Sequence, residues 1–323
     1  MHKPVDMNLW RGRVDDEETS DALRWHQLVV PLDDQSWPDS KVLLGFCCDE
    51  GVKRNKGRVG AAAGPDAIRK ALSNLSYGDD KSVYDAGNIY CVAGDMEGSQ
   101  AELAREVSGL LRRKMNVTVL GGGHETAWGS FQGIVHHLKE MPRTASRLGI
   151  INFDAHLDLR NPVSGTSSGT PFRQISEWCE NHDREFNYHV MGINPSANTA
   201  ALFQYAQQQH ATWVEDVDTH VANIEALKNN LEQFVSRVDF IYITICLDVF
   251  AAAIAPGVSA PAAVGVSGDI VIRLVREIHS LSKQLNVPII LSDIVEMNPA
   301  YDIEGRTARL AARLVWELSN PPH

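Results

Sequence analysis

An α/β fold on a mainly parallel sheet follows from two patterns in the sequence. Short, near-continuous apolar runs alternate with stretches of helical periodicity, as in strands buried on both faces by their crossover helices. Polar clusters fall directly after several of the apolar runs. Ligands of open parallel sheets bind at those strand ends.

The elements follow in chain order. Residues 1–40 are polar and irregular, and are expected to form an N-terminal extension lying over the domain; residues 41–320 are expected to be that single domain. The first strand is read at Val42–Phe46. Pro65 opens a helix at Asp66–Leu75, because proline wastes no N–H in a first turn. A helix at Gln100–Met115 leads to a strand at Val117–Leu120 and a helix at Glu125–Glu140. Strands at Leu148–Phe153 and Tyr188–Met191 precede a helix at Glu225–Val235 and a strand at Phe240–Leu247. In the helix at Asp269–Leu285, Val271, Leu274, Val275, Ile278 and Leu281 recur at helical spacing, a core-facing stripe. A strand at Val287–Leu291 and a helix at Arg306–Leu318 complete the pattern.

Composition narrows the function. The chain has 323 residues, 44% apolar and 22% charged, which excludes a disordered or fibrous protein. A chain of this length buries about three quarters of its unfolded surface, so it needs no metal simply to fold. The net charge of −11 argues against a nucleic-acid or anionic-membrane partner. No apolar run is long enough to span a bilayer, and the N-terminus carries no apolar signal core. Five cysteines at irregular spacing give no disulfide framework, and a cytoplasmic location is expected.

The sharpest cluster is Asp154-Ala-His156-Leu-Asp158, directly after the run Leu148–Phe153. In extended chain, residues i, i+2 and i+4 face one way, so two carboxylates and an imidazole would converge. Without a cation, close carboxylates repel and raise each other's pKa. Val117–Leu120 ends in Gly121-Gly122-Gly123-His124-Glu125, where the glycines allow close backbone approach. Phe240–Leu247 runs into Asp248, with Cys246 two residues earlier. Imidazoles with several carboxylates suit a pair of divalent ions such as Mn2+.

The motifs GGGHE at 121–125, NFDAHLDLR at 152–160, SGTPF at 168–172, LDVFAAAIAPGVSAP at 247–261 and SDIVEMNP at 292–299 resemble, in order and spacing, those of the ureohydrolase superfamily of arginases, agmatinases and formimidoylglutamases. The resemblance runs from about Val42 to Leu318. It implies a three-layer α/β/α sandwich, arginase-like, with about eight strands, and a binuclear Mn2+ site bridged by hydroxide. By that resemblance His124, Asp154, His156, Asp158 and Asp248 are metal ligands, with Asp154 bridging. Glu296 holds the substrate's amidinium or guanidinium, and Asp158, His156 and Glu296 form the catalytic set. Cys246 stands where most members have a bridging Asp, so one of the two ions is expected to bind weakly. Ser168 stands where arginases and agmatinases carry a His.

The stretches RNKGRVGAAAGPDAIR at 54–69, SSGTPFRQ at 167–174 and APGVSAPAAVGVS at 255–267 resemble the bacterial formimidoylglutamases of histidine degradation. The implied reaction hydrolyses N-formimidoyl-L-glutamate to L-glutamate and formamide. A substrate with two carboxylates calls for cationic or donor groups: Arg160 or Arg173, with Asn161, Ser164 and Ser168 as lesser candidates. The rival expectations are an agmatinase or other guanidino-acid ureohydrolase, and a metal-depleted member that only binds. A small molecule is the expected partner, and a homo-oligomer is compatible with the resemblance.

Overall fold

The computed structural model describes residues 1–15, 22–33, 35–77, 82–140 and 146–320. One sheet organises them. Its strands are β1 (His2–Lys3), β2 (Val29–Pro31), β3 (Lys41–Cys47), β4 (Val83–Tyr90), β5 (Asn116–Leu120), β6 (Leu148–Phe153), β7 (Asn187–Ile193), β8 (Thr212–Glu215), β9 (Phe240–Cys246) and β10 (Ile289–Val295). The order is β1-β4-β3-β5-β10-β9-β6-β7-β8, with β2 also paired to β4. Every pairing is parallel except β1 with β4. Ten strands therefore stand where about eight were expected.

Beside the short α1 (Trp25–Leu28) and α2 (Glu50–Arg54), helices α3 (Gly64–Leu72), α8 (Ile224–Val235), α9 (Gly268–Leu285) and α10 (Arg306–Ser319) cover one face. Helices α4 (Met96–Arg112), α5 (Thr126–Lys139), α6 (Pro171–Asn181) and α7 (Ala200–Gln208) cover the other. The layers follow from period-two strand geometry. Along β9, Ile241, Ile243 and Ile245 enter the first core and Tyr242 the second. The expected stripe of α9 is buried at Val271, Leu274, Val275, Ile278 and Leu281. No helix among the described residues is long and apolar enough to cross a membrane.

Several elements exceed or escape the sequence reading. Strand β10 continues four residues beyond the expected Leu291, because Ser292 and Asp293, which break the apolar run, are buried in the sheet. Strand β4 carries Asp85, Gly87 and Asn88 in its interior and was not read as a strand at all. Asp85 and Asn88 are satisfied by Arg69 of α3, with Nε and Nη2 on the Asp85 carboxylate at 2.7 and 2.8 Å and Nη1 on Asn88 at 2.6 Å. Helices α6 and α7 and strand β8 likewise went unread. Within residues 1–40, β1 and β2 pair with β4, and Trp10 and Trp25 are buried in the core under α3.

Candidate metal centre and cavity

The carboxyl ends of β5, β10, β9 and β6, neighbours at the middle of the sheet, form the floor of a cavity of about 330 Å³. Three of these strands carry the expected donors. The fourth, β10, lies between β5 and β9 and is followed directly by Glu296.

His124 follows β5 after the glycine turn. Close approach is real at Gly122, where a Cβ would stand 1.7 Å from the Cys48 carbonyl oxygen. The His124 Nδ1 lies 2.9 Å from Asp154 Oδ2 and 3.0 Å from Asp158 Oδ2. The Asp154-to-Asp158 segment is not extended, contrary to the expectation. The Asp154 carboxylate accepts the His156 N–H at 2.7 Å, and Asp158 takes a left-handed φ of +48°. This bend, not strand alternation, brings the side chains together. Asn198 latches it by bonding Leu157 N and Ala155 O, both at 2.9 Å.

His156 Nδ1 stands 3.2 Å from Asp248 Oδ2 and 3.6 Å from Asp154 Oδ1. Donor atoms thus fall into two groups close enough to hold a metal ion, His124 with Asp154 and Cys246, and Asp154 with His156 and Asp248. Asp154 is common to both groups. Cys246 belongs to the first.

The electrostatics are those of an unfinished site. Burial works against the charged form of His124, yet Asp154 and Asp158 outweigh it and push the imidazole up; Asp248 and Asp154 do the same for His156. Burial, then Asp154, raises Asp158 to about 6. Burial, with Asp248 and Glu125, also raises Glu296. Glu296 Oε1 accepts the His124 N–H at 3.0 Å, whereas buried Glu296 Oε2 and Asp248 Oδ1 have no partner. Unpaired buried carboxylate oxygens are costly. Glu296 also holds a left-handed φ of +69°, the backbone strain that persists where surroundings over-determine a residue. A divalent cation among the His124, Asp154, Asp158, His156 and Asp248 donors would offset the crowding of these carboxylates and take up the unpaired Asp248 oxygen. It requires the His124 ring proton on Nε2, and Thr244 Oγ1, 3.1 Å away, is the acceptor placed for it.

The remaining expected residues divide. Arg160 and Ser168 line the same cavity. Asn161 and Ser164 line an adjoining depression shared with Arg160. Asn161 caps a turn by accepting the Val163 N–H. Arg173 does not line the cavity: its Nε bonds Glu177 at 2.6 Å and its guanidinium stacks 3.4 Å over the Tyr205 ring. An i,i+4 acid on α6 had claimed it. Sequence reasoning missed Thr244, Asn198 and Asn152, whose amide bonds Asp154 Oδ2 at 3.1 Å. Thr244 and Asn152 carried a signal, being polar residues within apolar strands, two positions before a donor.

The model of the arginase family matches residues 40–319. The chain belongs to the arginase family. It is 45% identical over 334 residues to the formimidoylglutamase of Aliivibrio fischeri, covering 98% of this chain and 95% of that one. It is 46% identical to that of Hahella chejuensis, covering 96% and 94%. The crystal structure of formimidoylglutamase from Bacillus subtilis superposes with a TM-score of 0.81 at 23% identity, over 96% of this chain and 94% of that one. That of Trypanosoma cruzi formiminoglutamase with Mn2+ superposes with a TM-score of 0.74 at 26% identity, over 94% of this chain and all of that one. For an arginase-family chain, the three-layer fold and the mid-sheet cavity are the expected frame.

Proposed function

We propose that the chain is a manganese-dependent formimidoylglutamase, converting N-formimidoyl-L-glutamate and water to L-glutamate and formamide in histidine degradation. The observation that carries this is the pair of donor groups sharing Asp154 beneath a cavity that also holds an unpartnered buried carboxylate oxygen on Glu296. The names of the relatives, matched over nearly the whole chain, support the substrate. Two ions per chain fit the two groups, held by His124, Asp154, Asp158 and Cys246 on one side and by Asp154, His156 and Asp248 on the other. When bound, such a pair supplies Lewis acidity and hydroxide near neutral pH.

The chain's own residues do the rest. Glu296 Oε2 accepts the amidinium N–H, which keeps the carbon electrophilic and fixes its orientation. A new C–O bond to that carbon is followed by loss of the C–N bond to glutamate, whose nitrogen must gain a proton. Asp158, 3.0 Å from His124 and facing the cavity, relays that proton. The Ser168 hydroxyl, bonded by the Asn55 amide at 3.3 Å, can pass a proton but cannot act as a base near pH 7. Arg160 at the mouth receives a substrate carboxylate. The five free thiols suit a reducing cytoplasm.

Incubation of the purified protein with N-formimidoyl-L-glutamate, with and without added Mn2+, tests the reading. Formamide release that depends on Mn2+ is expected. Urea from agmatine or a guanidino acid, with no formamide, would replace it with the ureohydrolase alternative. Cys246 favours a second reading, a member that binds without turnover; metal analysis showing one ion or none per chain, together with no formamide, would select it.

A further inference from the structure

The acidic floor of the cavity is overlooked by cations, and two of the four around its mouth are already committed. Arg54 is held by Glu50 and Glu97. Arg58 spends its guanidinium on the carbonyls of Val258 and Ser259 and stacks 4.2 Å over Tyr301. Lys56 and Arg160 both line the cavity. Among the described residues neither has a hydrogen bond or ion pair at its charged end. Both stand exposed at the rim, so their charged ends are free to meet an anionic ligand that enters the cavity.

The loop that carries Lys56 is built before any ligand arrives. Lys56 holds a left-handed φ of +63°, a conformation that costs a lysine about 1 kcal/mol or more. The loop is fastened on both sides of it. Gly57 N bonds Val52 O at 2.9 Å, and Gly60 N bonds the Asp49 carboxylate at 2.6 Å. The Asn298 amide bonds the carbonyls of Arg58 and Val59 at 3.0 and 3.1 Å. Gly60 admits that contact only because it lacks a side chain: a Cβ there would stand 2.2 Å from Asn298 Oδ1. The fastened backbone fixes where the Lys56 Cα sits at the rim, so no loop has to be ordered to bring its ammonium to a ligand.

Resting on the functional reading above, we propose that Lys56 is a specificity residue: it receives one carboxylate of the substrate while Arg160 receives the other. The cavity thereby selects amidines carrying two carboxylates over those carrying one or none.

The test compares the Mn2+-loaded wild type with Lys56→Met and Arg160→Met on three substrates. They are N-formimidoyl-L-glutamate, its norvaline analogue without the side-chain carboxylate, and its 4-aminobutyrate analogue without the α-carboxylate. Lys56→Met should raise KM for the dicarboxylate about 10- to 100-fold with kcat little changed, the value of one charge-assisted contact. It should cost nothing further on one truncated analogue, and Arg160→Met should spare the other one. Lys56→Arg should restore most of the loss. Equal losses on all three substrates, no loss on any, or both variants sparing the same analogue would overturn the proposal. Should the wild type not hydrolyse formimidoylglutamate at all, the functional reading fails separately. Calorimetric binding of L-glutamate then decides on the lysine, an equal Kd in wild type and Lys56→Met overturning it.

Discussion

Two clusters of buried charge lie near the sheet, and they are finished differently. Between α3 and β4, Arg69 is wholly buried and every arm is used, on Asp85, Asn88 and the Gly87 carbonyl, while the Trp10 indole N–H closes on Asp85 at 2.8 Å. At the ends of β5, β10, β9 and β6, carboxylates crowd two imidazoles, and buried oxygens of Asp248 and Glu296 are left over. A structural cluster neutralises itself. A functional one is completed by something that comes from outside, and its unpaired atoms mark where that something goes.

The comparison breaks first at Arg69. Arg69→Met should cost about 3–5 kcal/mol of stability, because it strands the buried Asp85. Urea unfolding should show the loss, while kcat per folded molecule stays at the wild-type value. A stability change under 1 kcal/mol would mean that the closed cluster is not structural. The reverse pattern belongs to Asp154→Asn. Removing the carboxylate common to both donor groups should lower kcat/KM about 10³-fold, several kcal/mol of transition-state stabilisation. Mn2+ content should fall with it and the unfolding midpoint should move little. Full activity with two ions retained would refute the sharing of Asp154.

Buried histidines sharpen the same contrast. His124 and His156 are pushed up by their carboxylates. His189, against Thr212 and Phe234, faces no acid, and burial pushes it down to about 4. Folded His189 therefore stays neutral below pH 6.5, while the unfolded chain takes up its proton there. This stability is complete above about pH 6.5 and is lost as pH falls towards 4, by about 3 kcal/mol. Measured from pH 7 to 4, the unfolding free energy of wild type should fall relative to that of His189→Phe by up to about 3 kcal/mol. Parallel curves would show that this imidazole does not carry the acid sensitivity.

The legibility of the chain divides along the same line. Strands without a charged residue, such as β6 and β9 with only Asn152 and Thr244 interrupting their apolar runs, announced themselves in the sequence, and so did the donors that follow them. Strands with a buried carboxylate did not. β4 hides Asp85 and Asn88 because their partner Arg69 lies on another element, and the apolar run of β10 stops at Leu291 although the strand goes on, because Asp293 is satisfied by Tyr242 and Ser130 from other elements. Glu296 therefore entered through family resemblance and not through its place at a strand end. The convergence at Asp154–Asp158 was legible, but its cause was not: a bend with positive φ at Asp158 leaves no mark in residue spacing. Arg173 was misjudged because Glu177 and Tyr205 compete for it, and nothing in a local motif weighs competitors.

Cys246 is where the open cluster departs from its own chemistry, so its replacement is the finest probe of the comparison. A thiol can ligate only as thiolate, a soft donor poorly matched to Mn2+. Here burial and the neighbouring Asp154, Asp248 and Glu296 all push the Cys246 thiol up, so deprotonation must be driven by the ion itself. Cys246→Asp supplies a hard donor at the same backbone position, in the group already containing His124 and Asp154. Mn2+ affinity should rise about tenfold, the scale on which ligand-sphere changes act, and calorimetric titration of metal-free protein would measure it. The gain should appear in the weaker of two binding steps. An unchanged isotherm would place Cys246 outside the coordination sphere and leave His124, Asp154 and Asp158 to hold that ion alone.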